Sequence, residues 1–238
     1  MSEKIIQSFT YYELEKRRPS FAILPIGSFE QHGHHLPMTT DTLIAGIVAK
    51  YIGDEYDGLV LPPIPISCSQ EHNGFFGSLW ISASTLSHIV RDIVEALNFN
   101  GIRALVIVNG HGGNYVLGNI VQEINLSGPT IMLLPTKYHW QAAFKAAGIE
   151  KTPSEDMHAG EFETSVLMHE FPETLRKEQI ADHDAPLRPW LQVHGMKEYT
   201  DTGTIGFPSL ASASKGELVL KEVTRLVGPD IKRFLEEV

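Results

Sequence analysis

The sequence contains a single cysteine, Cys68, among its 238 residues. One cysteine cannot form a disulfide within the chain, whereas proteins of oxidising compartments often rely on such crosslinks. The amino-terminal residues carry charges of both signs and lack the apolar stretch of a secretory signal. We therefore expect a cytoplasmic protein.

Long apolar runs and blocks of basic residues are also missing. No window approaches the roughly 18 consecutive apolar residues that a membrane-spanning helix requires, so we expect no membrane partner. The chain has 19 basic against 29 acidic residues, a formal net charge of −10. Such a charge repels a phosphate backbone, and no local block of lysine and arginine offsets it. We expect no nucleic-acid partner.

What the sequence does contain is an alternation of short apolar runs with helical patterns. Runs bounded by glycine, proline or asparagine predict four strands: Phe21 to Ile26, Leu59 to Ile64, Ala104 to Val108 and Thr130 to Leu134. Apolar spacings of three and four predict helices over Thr42 to Tyr51, Thr85 to Asn98, Asn114 to Ile124 and Leu218 to Phe234. Alternating strands and helices favour a mostly parallel sheet covered on both faces. The expected fold is α/β, a three-layer α/β/α sandwich.

The length of the chain is typical of one large α/β domain, so we expect residues 1–238 to form a single domain. The stretch from 178 to 208 has prolines, mixed charges and no clear period. We predict an irregular surface segment there, and such segments often border an active site.

Three of the eleven histidines lie in Glu30-Gln31-His32-Gly33-His34-His35, directly after the first predicted strand. Ligands of open α/β sheets bind beyond the carboxyl ends of strands, where this loop is expected. Glu30 and His32 are two residues apart, so extended backbone directs both side chains the same way, and such a pair suits a first-row divalent metal. Asp41 begins the next helix as a cap or as a ligand, and a cap is the commoner use of such a residue.

Two further loops carry histidine. His111 follows the strand from Ala104 to Val108 and has glycines on both sides, which let the backbone approach a ligand closely. The loop lacks the residues of a phosphate-binding or dinucleotide-binding motif, so His111 is a candidate metal ligand. His158 and Glu161 are three residues apart and can share a helical face, whereas Glu163 points elsewhere. A lone histidine is usually a hydrogen-bonded core residue, but three such loops together favour a metal site.

These three segments resemble the metal-binding segments of the creatininase (creatinine amidohydrolase) family. They are Gly27 to Pro37 followed by Asp41, then Asn109-Gly110-His111, then His158 to Ser165. Their order and spacing agree with the family over nearly the whole chain. The resemblance implies a creatininase-like fold and a metal-dependent hydrolase of non-peptide C–N bonds.

The resemblance also implies two divalent metal ions per chain, with zinc expected first and manganese or iron as alternatives. Glu30 and His111 would bind one ion, His32 would bind the other, and Asp41 would bridge the pair. His158 matches the family's catalytic histidine and would supply a proton to the leaving nitrogen.

The chain departs from the family pattern at Gly113, where creatininase has a carboxylate ligand. Glu161 lies about one helical turn from His158, and we hypothesise that it supplies the missing carboxylate. This makes Glu161 a predicted metal ligand and, with His158, a predicted catalytic residue. We expect Glu71, His72 and Phe75 to contact the substrate.

The implied reaction is hydrolysis of a small amide, cyclic amide or formamide by a metal-bridging hydroxide. Alternatives are creatinine amidohydrolase proper, a formamide deformylase of flavin biosynthesis, and a non-catalytic metal-binding or ligand-binding module. The family's peptidase of mycofactocin maturation is disfavoured because it has a different residue at the position of Glu161. Phosphoester hydrolysis is disfavoured because no arginine or lysine accompanies the motifs. Family members are often hexamers, so the resemblance implies a homo-oligomer.

Overall fold

The computed structural model describes residues 5–238, and its strands form one parallel sheet. In chain order the strands are β1 (Phe21–Ile26), β2 (Leu59–Val60), β3 (Ala104–Asn109) and β4 (Ile131–Leu134). They lie in the order β2-β1-β3-β4, and each neighbouring pair is parallel. The prediction of a mostly parallel sheet is confirmed.

Helices connect the strands and follow the sheet. In chain order they are α1 (Tyr11–Arg17), α2 (Thr40–Tyr56), α3 (Ala83–Phe99), α4 (Val116–Ile124), α5 (Lys137–Ala146), α6 (Glu161–Glu170), α7 (Leu191–His194) and α8 (Ala213–Glu237). The hydroxyls of Ser82 and Ser212 cap α3 and α8 by accepting hydrogen bonds from backbone N–H groups of their first turns. The four predicted helices are confirmed, with ends that differ by at most five residues.

The sheet is buried on both faces, as β1 illustrates. Successive side chains of a strand point to opposite faces. Phe21 and Ile23 therefore join a core cluster with residues of α2, α6 and α8. Ala22, Leu24 and Ile26 join a second cluster with residues of α3 and α4. This arrangement confirms the three-layer α/β/α sandwich.

The edge strand β2 is shorter than the predicted strand from Leu59 to Ile64. Only Leu59 and Val60 pair continuously with β1, and Ile64 makes an isolated bridge to Ile26. Pro62 and Pro63 lie between them and have no N–H for a ladder hydrogen bond. The chain then leaves the sheet and forms the short 3-10 turn Gln70–His72 beside the carboxyl ends of the strands.

The predicted irregular segment is also confirmed, since residues 178 to 208 contain only short helical turns, of which α7 is one. Part of it pairs with the chain near the third histidine segment: the backbones of His158 and Ile205 exchange two hydrogen bonds of 2.9 Å. Across residues 5–238, none of the helices has the length and apolar character to cross a membrane.

Candidate metal centre

Four predicted ligands meet at the carboxyl end of the sheet. Glu30 and His32 lie in the loop after β1, His111 lies just beyond β3, and Asp41 lies in the first turn of α2. All four side chains are at most 4% exposed. Gly110 permits this convergence because a Cβ at its position would overlap the backbone oxygen of Asp41. The strand-end loops thus bring the predicted residues together.

Asp41 lies between the two histidines. Its Oδ1 is 2.9 Å from His32 Nε2, its Oδ2 is 2.9 Å from His111 Nδ1, and Ser28 Oγ donates a 2.8 Å hydrogen bond to Oδ2. The N-cap residue of α2 is Thr39, so Asp41 does not cap the helix. The capping interpretation of Asp41 is therefore wrong. The Asp41 side chain instead lies between His32 and His111.

The two histidines present unprotonated nitrogens to the cluster in their neutral form. His32 Nδ1 donates to the Glu30 carbonyl oxygen at 3.1 Å, and His111 Nε2 donates to the Cys68 carbonyl oxygen at 3.0 Å. When neutral, each imidazole therefore keeps a lone pair on the nitrogen that faces Asp41. Although burial opposes the rise, Asp41 raises the pKa of His32 to about 9, and Glu30 likewise raises the pKa of His111, so a metal ion would take the place of a proton on each nitrogen. Metal-binding histidines almost always have such an outer hydrogen bond, which fixes the tautomer and the ring orientation.

Glu30 differs from the other residues of the centre in its hydrogen bonding. Both carboxylate oxygens are shielded from solvent without an aligned hydrogen bond, although His111 Nδ1 and His72 Nε2 each lie 3.1 Å from Oε1. Burial raises the pKa of Glu30 to about 7, although His111 opposes the rise. A divalent cation would supply the partner that these two buried oxygens lack.

His158 reaches the same centre from the loop before α6. Its Nε2 donates a 2.6 Å hydrogen bond to the Gln31 carbonyl oxygen, and its Nδ1 lies 4.0 Å from Glu30 Oε1. Its ring centroid is 4.2 Å from that of His32. Burial, together with the nearby His32, lowers the pKa of His158 well below its usual value, which favours the neutral ring.

The structure brings Glu163, and not Glu161, to the cluster. Glu161 is not brought to the cluster, because its carboxylate pairs with Lys215 of α8. Glu163 Oε2 instead lies 4.0 Å from His32 Nε2, and Glu163, His32 and Asp41 form a group that can hold a cation. The expectation that Glu163 points elsewhere is wrong. So is the shared helical face of His158 and Glu161, because α6 begins at Glu161, after its N-cap Gly160.

A sequence signal for Glu163 exists. It is the third residue of α6, and its Oε2 accepts a 2.6 Å hydrogen bond from the backbone N–H of Ala159. Glutamate at the third position of a helix commonly reaches back towards the helix start in this way. This conformational preference directs the Glu163 carboxylate towards the loop that contains His158, and hence towards the centre. Burial raises the pKa of Glu163 to about 8.

The three predicted substrate contacts lie in different surroundings. Glu71 Oε1 is 3.1 Å from His111 Nε2, and His72 is buried beside Glu30. Phe75 is half-buried, and Lys197 Nζ lies 4.9 Å above its ring. Glu71 occupies space that Gly113 leaves open, since a Cβ at 113 would overlap its carboxylate. A larger residue at position 113 would therefore be incompatible with this position of the Glu71 side chain.

A cleft of about 330 Å³ adjoins the centre at Glu71 and Gly113. Its walls include Tyr115 and helix α7, and none of the residues that line it is lysine or arginine. The cleft thus lies beside a cluster of histidines and carboxylates, has the size of a ligand pocket, and carries Glu71 as its acidic side chain.

Comparisons with known proteins agree with this picture. The sequence model of the creatininase family, described as creatinine amidohydrolase, matches residues 7–228. A mycofactocin precursor peptide peptidase from Mycolicibacterium smegmatis is 32% identical over 223 residues, which are 89% of this chain and 84% of that protein. Creatinine amidohydrolase from Pseudomonas putida is 28% identical over 93% of this chain and 94% of its own length. A solved structure named for creatininase with manganese has a TM-score of 0.80 and 26% identity, covering 95% of this chain and 96% of that chain.

Proposed function

Because the chain belongs to the creatininase family, we propose that it is a hydrolase with two divalent metal ions that cleaves a C–N bond of a small amide, cyclic amide or formamide. One observation supports the proposed number of two metal ions. The two carboxylate oxygens of Asp41 lie 2.9 Å from nitrogens of two different buried histidines, His32 and His111. A carboxylate between two nitrogen donors is suited to bridge a pair of ions.

The residues present fit two ions. Glu30, His111 and Asp41 would hold one ion, and His32, Asp41 and Glu163 would hold the other. Mixed nitrogen and oxygen ligands suit zinc, manganese and iron, and zinc remains the first expectation. When bound, such ions lower the pKa of a water molecule and polarise a carbonyl group.

His158 is the proton carrier of the proposed reaction. Its Nε2–H is committed to the Gln31 carbonyl oxygen, so the neutral ring offers the lone pair of Nδ1 to the centre. Nδ1 can accept a proton during attack on the carbonyl and then donate it to the departing nitrogen. That donation is needed because an amide anion is a very poor leaving group.

The cleft favours uncharged or cationic substrates. Glu71 contributes a carboxylate, and among residues 5–238 no lysine or arginine lines the walls. A phosphate group would meet no positive partner there, and phosphoryl transfer relies on such clamps. We therefore keep phosphoester hydrolysis disfavoured. Assembly as a homo-oligomer, hexameric by resemblance, is also part of the proposal.

Peptide hydrolysis is the second candidate. The identity with the mycofactocin precursor peptide peptidase is 32%, against 28% with the creatinine amidohydrolase. In the sequence, Glu161 disfavours a peptidase, but its carboxylate pairs with Lys215 away from the centre. Glu161 therefore gives little reason to exclude a peptide substrate, which belongs in the first activity screen.

Metal removal tests the proposed function. We expect a chelator to abolish hydrolysis and zinc or manganese to restore it, because the ions supply the nucleophile and polarise the carbonyl. The screen would compare lactams, formamides, creatinine and short peptides, each with metal-free, reconstituted and Glu30→Gln protein. Hydrolysis that persists at full rate in the metal-free protein would contradict the proposal.

Because Glu163 lies at the centre and Glu161 does not, we predict different metal contents for two matched variants. Glu163→Gln is expected to lose about one ion per chain, because amide oxygen is a weaker ligand than carboxylate. Glu161→Gln is expected to keep both ions, because Glu161 contacts Lys215 instead of the centre. Elemental analysis after reconstitution checks both. Loss of an ion from Glu161→Gln but not from Glu163→Gln would restore the assignment made from the sequence.

A further inference from the structure

His72 differs from the other three histidines of the centre in the hydrogen bond of its outer nitrogen. The outer nitrogens of His32, His111 and His158 donate to backbone carbonyl oxygens, so their inner nitrogens carry lone pairs when the rings are neutral. The outer nitrogen of His72, Nδ1, instead lies 3.0 Å from the side-chain Nε2 of Gln31. An amide NH₂ can only donate, so Nδ1 must accept.

The orientation of the Gln31 amide is fixed independently. Its Oε1 accepts a 3.0 Å hydrogen bond from the backbone N–H of Gly33, and its Nε2 lies 3.4 Å from the Gly203 carbonyl oxygen. A flipped amide would place its oxygen against this carbonyl and its NH₂ against the Gly33 N–H. Both pairs would repel, so the NH₂ group faces His72.

An imidazole that accepts at Nδ1 carries its proton on Nε2. In His72 this nitrogen lies 3.1 Å from Glu30 Oε1, while the ring itself is 2% exposed. A protonated nitrogen has no lone pair for a metal ion, but it can donate to a carboxylate. Hydrogen bonds therefore lead from the Gly33 N–H through Gln31 to His72, and the protonated Nε2 of His72 then lies 3.1 Å from Glu30 Oε1.

We propose that Gln31 holds His72 as the Nε2–H tautomer and that His72 is a positioning residue for Glu30, neither a metal ligand nor a substrate contact. The positive end of the Nε2–H bond lies beside one carboxylate oxygen of Glu30 and attracts it electrostatically, which leaves the other oxygen for the ion. This inference rests on the proposed function for the role of Glu30, whereas the tautomer itself follows from the hydrogen bonds alone. It replaces the sequence prediction that His72 contacts the substrate.

Nitrogen NMR of the zinc-reconstituted protein tests the tautomer directly. With ¹⁵N-labelled histidine, we expect His72 to show a protonated Nε2 and an unprotonated Nδ1, assigned by loss of its signals in His72→Gln. We expect the reverse pattern in Gln31→Glu, because a carboxylate accepts from Nδ1–H. A wild-type His72 with protonated Nδ1, or with zinc on Nε2, would overturn the proposal.

Metal affinity, measured by chelator competition, tests the positioning role. Gln31→Glu adds a negative charge near the centre, which by itself would tighten cation binding. We expect it to weaken zinc binding about 10- to 100-fold instead, since the reversed tautomer turns a lone pair towards Glu30. Gln141→Glu, the same change on the exposed face of α5, is the control and should match the wild type. Unchanged or tighter zinc binding in Gln31→Glu would overturn the positioning role.

Two variants of His72 separate positioning from packing. His72→Gln keeps an N–H donor near the place of Nε2 and should retain most of the zinc affinity, whereas His72→Leu should lose about 10- to 100-fold. Equal losses in both would contradict the proposal. These results also distinguish failure of this inference from failure of the proposed function. Wild-type protein that binds no zinc would refute the proposed function. Zinc binding by the wild type that Gln31 and His72 variants leave unaffected would refute only the proposed roles of Gln31 and His72.

Discussion

His158→Ala is expected to lower kcat about 10²- to 10⁴-fold while bound metal stays at the wild-type amount. Burial lowers the pKa of His158, and in the neutral ring the lone pair of Nδ1 faces the centre, so removal of the ring takes away the proton carrier for the leaving nitrogen. The ligands assigned to the two ions remain. Steady-state kinetics and elemental analysis on the same preparation check both halves of the expectation.

His88→Ala is the matched control for this variant. His88 is an exposed histidine on α3, on the other side of the sheet from α6, so its loss should change neither turnover nor metal content. Should His158→Ala lose metal and turnover in equal proportion, His158 would be a ligand. That alternative has a geometric basis, since Glu30, His32 and His158 also form a group that can hold a cation.

Asp41→Asn is expected to weaken binding of both ions by more than about 100-fold, the upper end of the losses seen when only an outer partner is changed. An amide retains one acceptor oxygen and turns an NH₂ group towards one of the two histidines. It therefore cannot bridge two cations. Chelator competition measures the affinity, and activity should fall with the bound metal.

The control for Asp41→Asn lies on the same helix. Asp54 is an exposed carboxylate of α2 that pairs with Lys50, and Asp54→Asn should leave metal affinity unchanged. Loss of only one ion in Asp41→Asn, with the other bound at wild-type affinity, would contradict the bridging role.

Much of the centre could be predicted because it follows from topology. Alternating strands and helices imply a parallel sheet, and the carboxyl ends of β1 and β3 then bring the loops of Glu30, His32 and His111 together. Asp41 joins them because α2 begins next to the same edge. None of these steps requires knowledge of side-chain orientation beyond the strand-end rule.

The predictions that failed depend on contacts distant in sequence or on where an element begins. Glu161 is held by Lys215, a residue of α8 that follows it by 54 positions, and no local pattern reports that pairing. Helical geometry does not apply to the spacing of His158 and Glu161, because α6 begins only at Glu161. For the shortened β2, in contrast, Pro62 and Pro63 gave the signal in the sequence itself.

The outer hydrogen bonds of the histidines also could not be predicted from the sequence. Gln31 is in the first segment, but its amide contacts His72, which is 41 residues away, and Gly203, which is 172 residues away. The contact with Gly203 arises only when the irregular segment from 178 to 208 folds over the centre. The segment could be predicted to border the site, whereas its partners could not.

The most direct test of the central claim is the metal content of the reconstituted wild-type protein, measured by elemental mass spectrometry beside a Glu30→Gln, Asp41→Asn double variant. Two first-row ions per wild-type chain, and close to none in the double variant, are the predicted result. A wild-type chain that binds no metal after reconstitution with zinc or manganese would contradict the two-metal centre and leave a non-catalytic module as the better account.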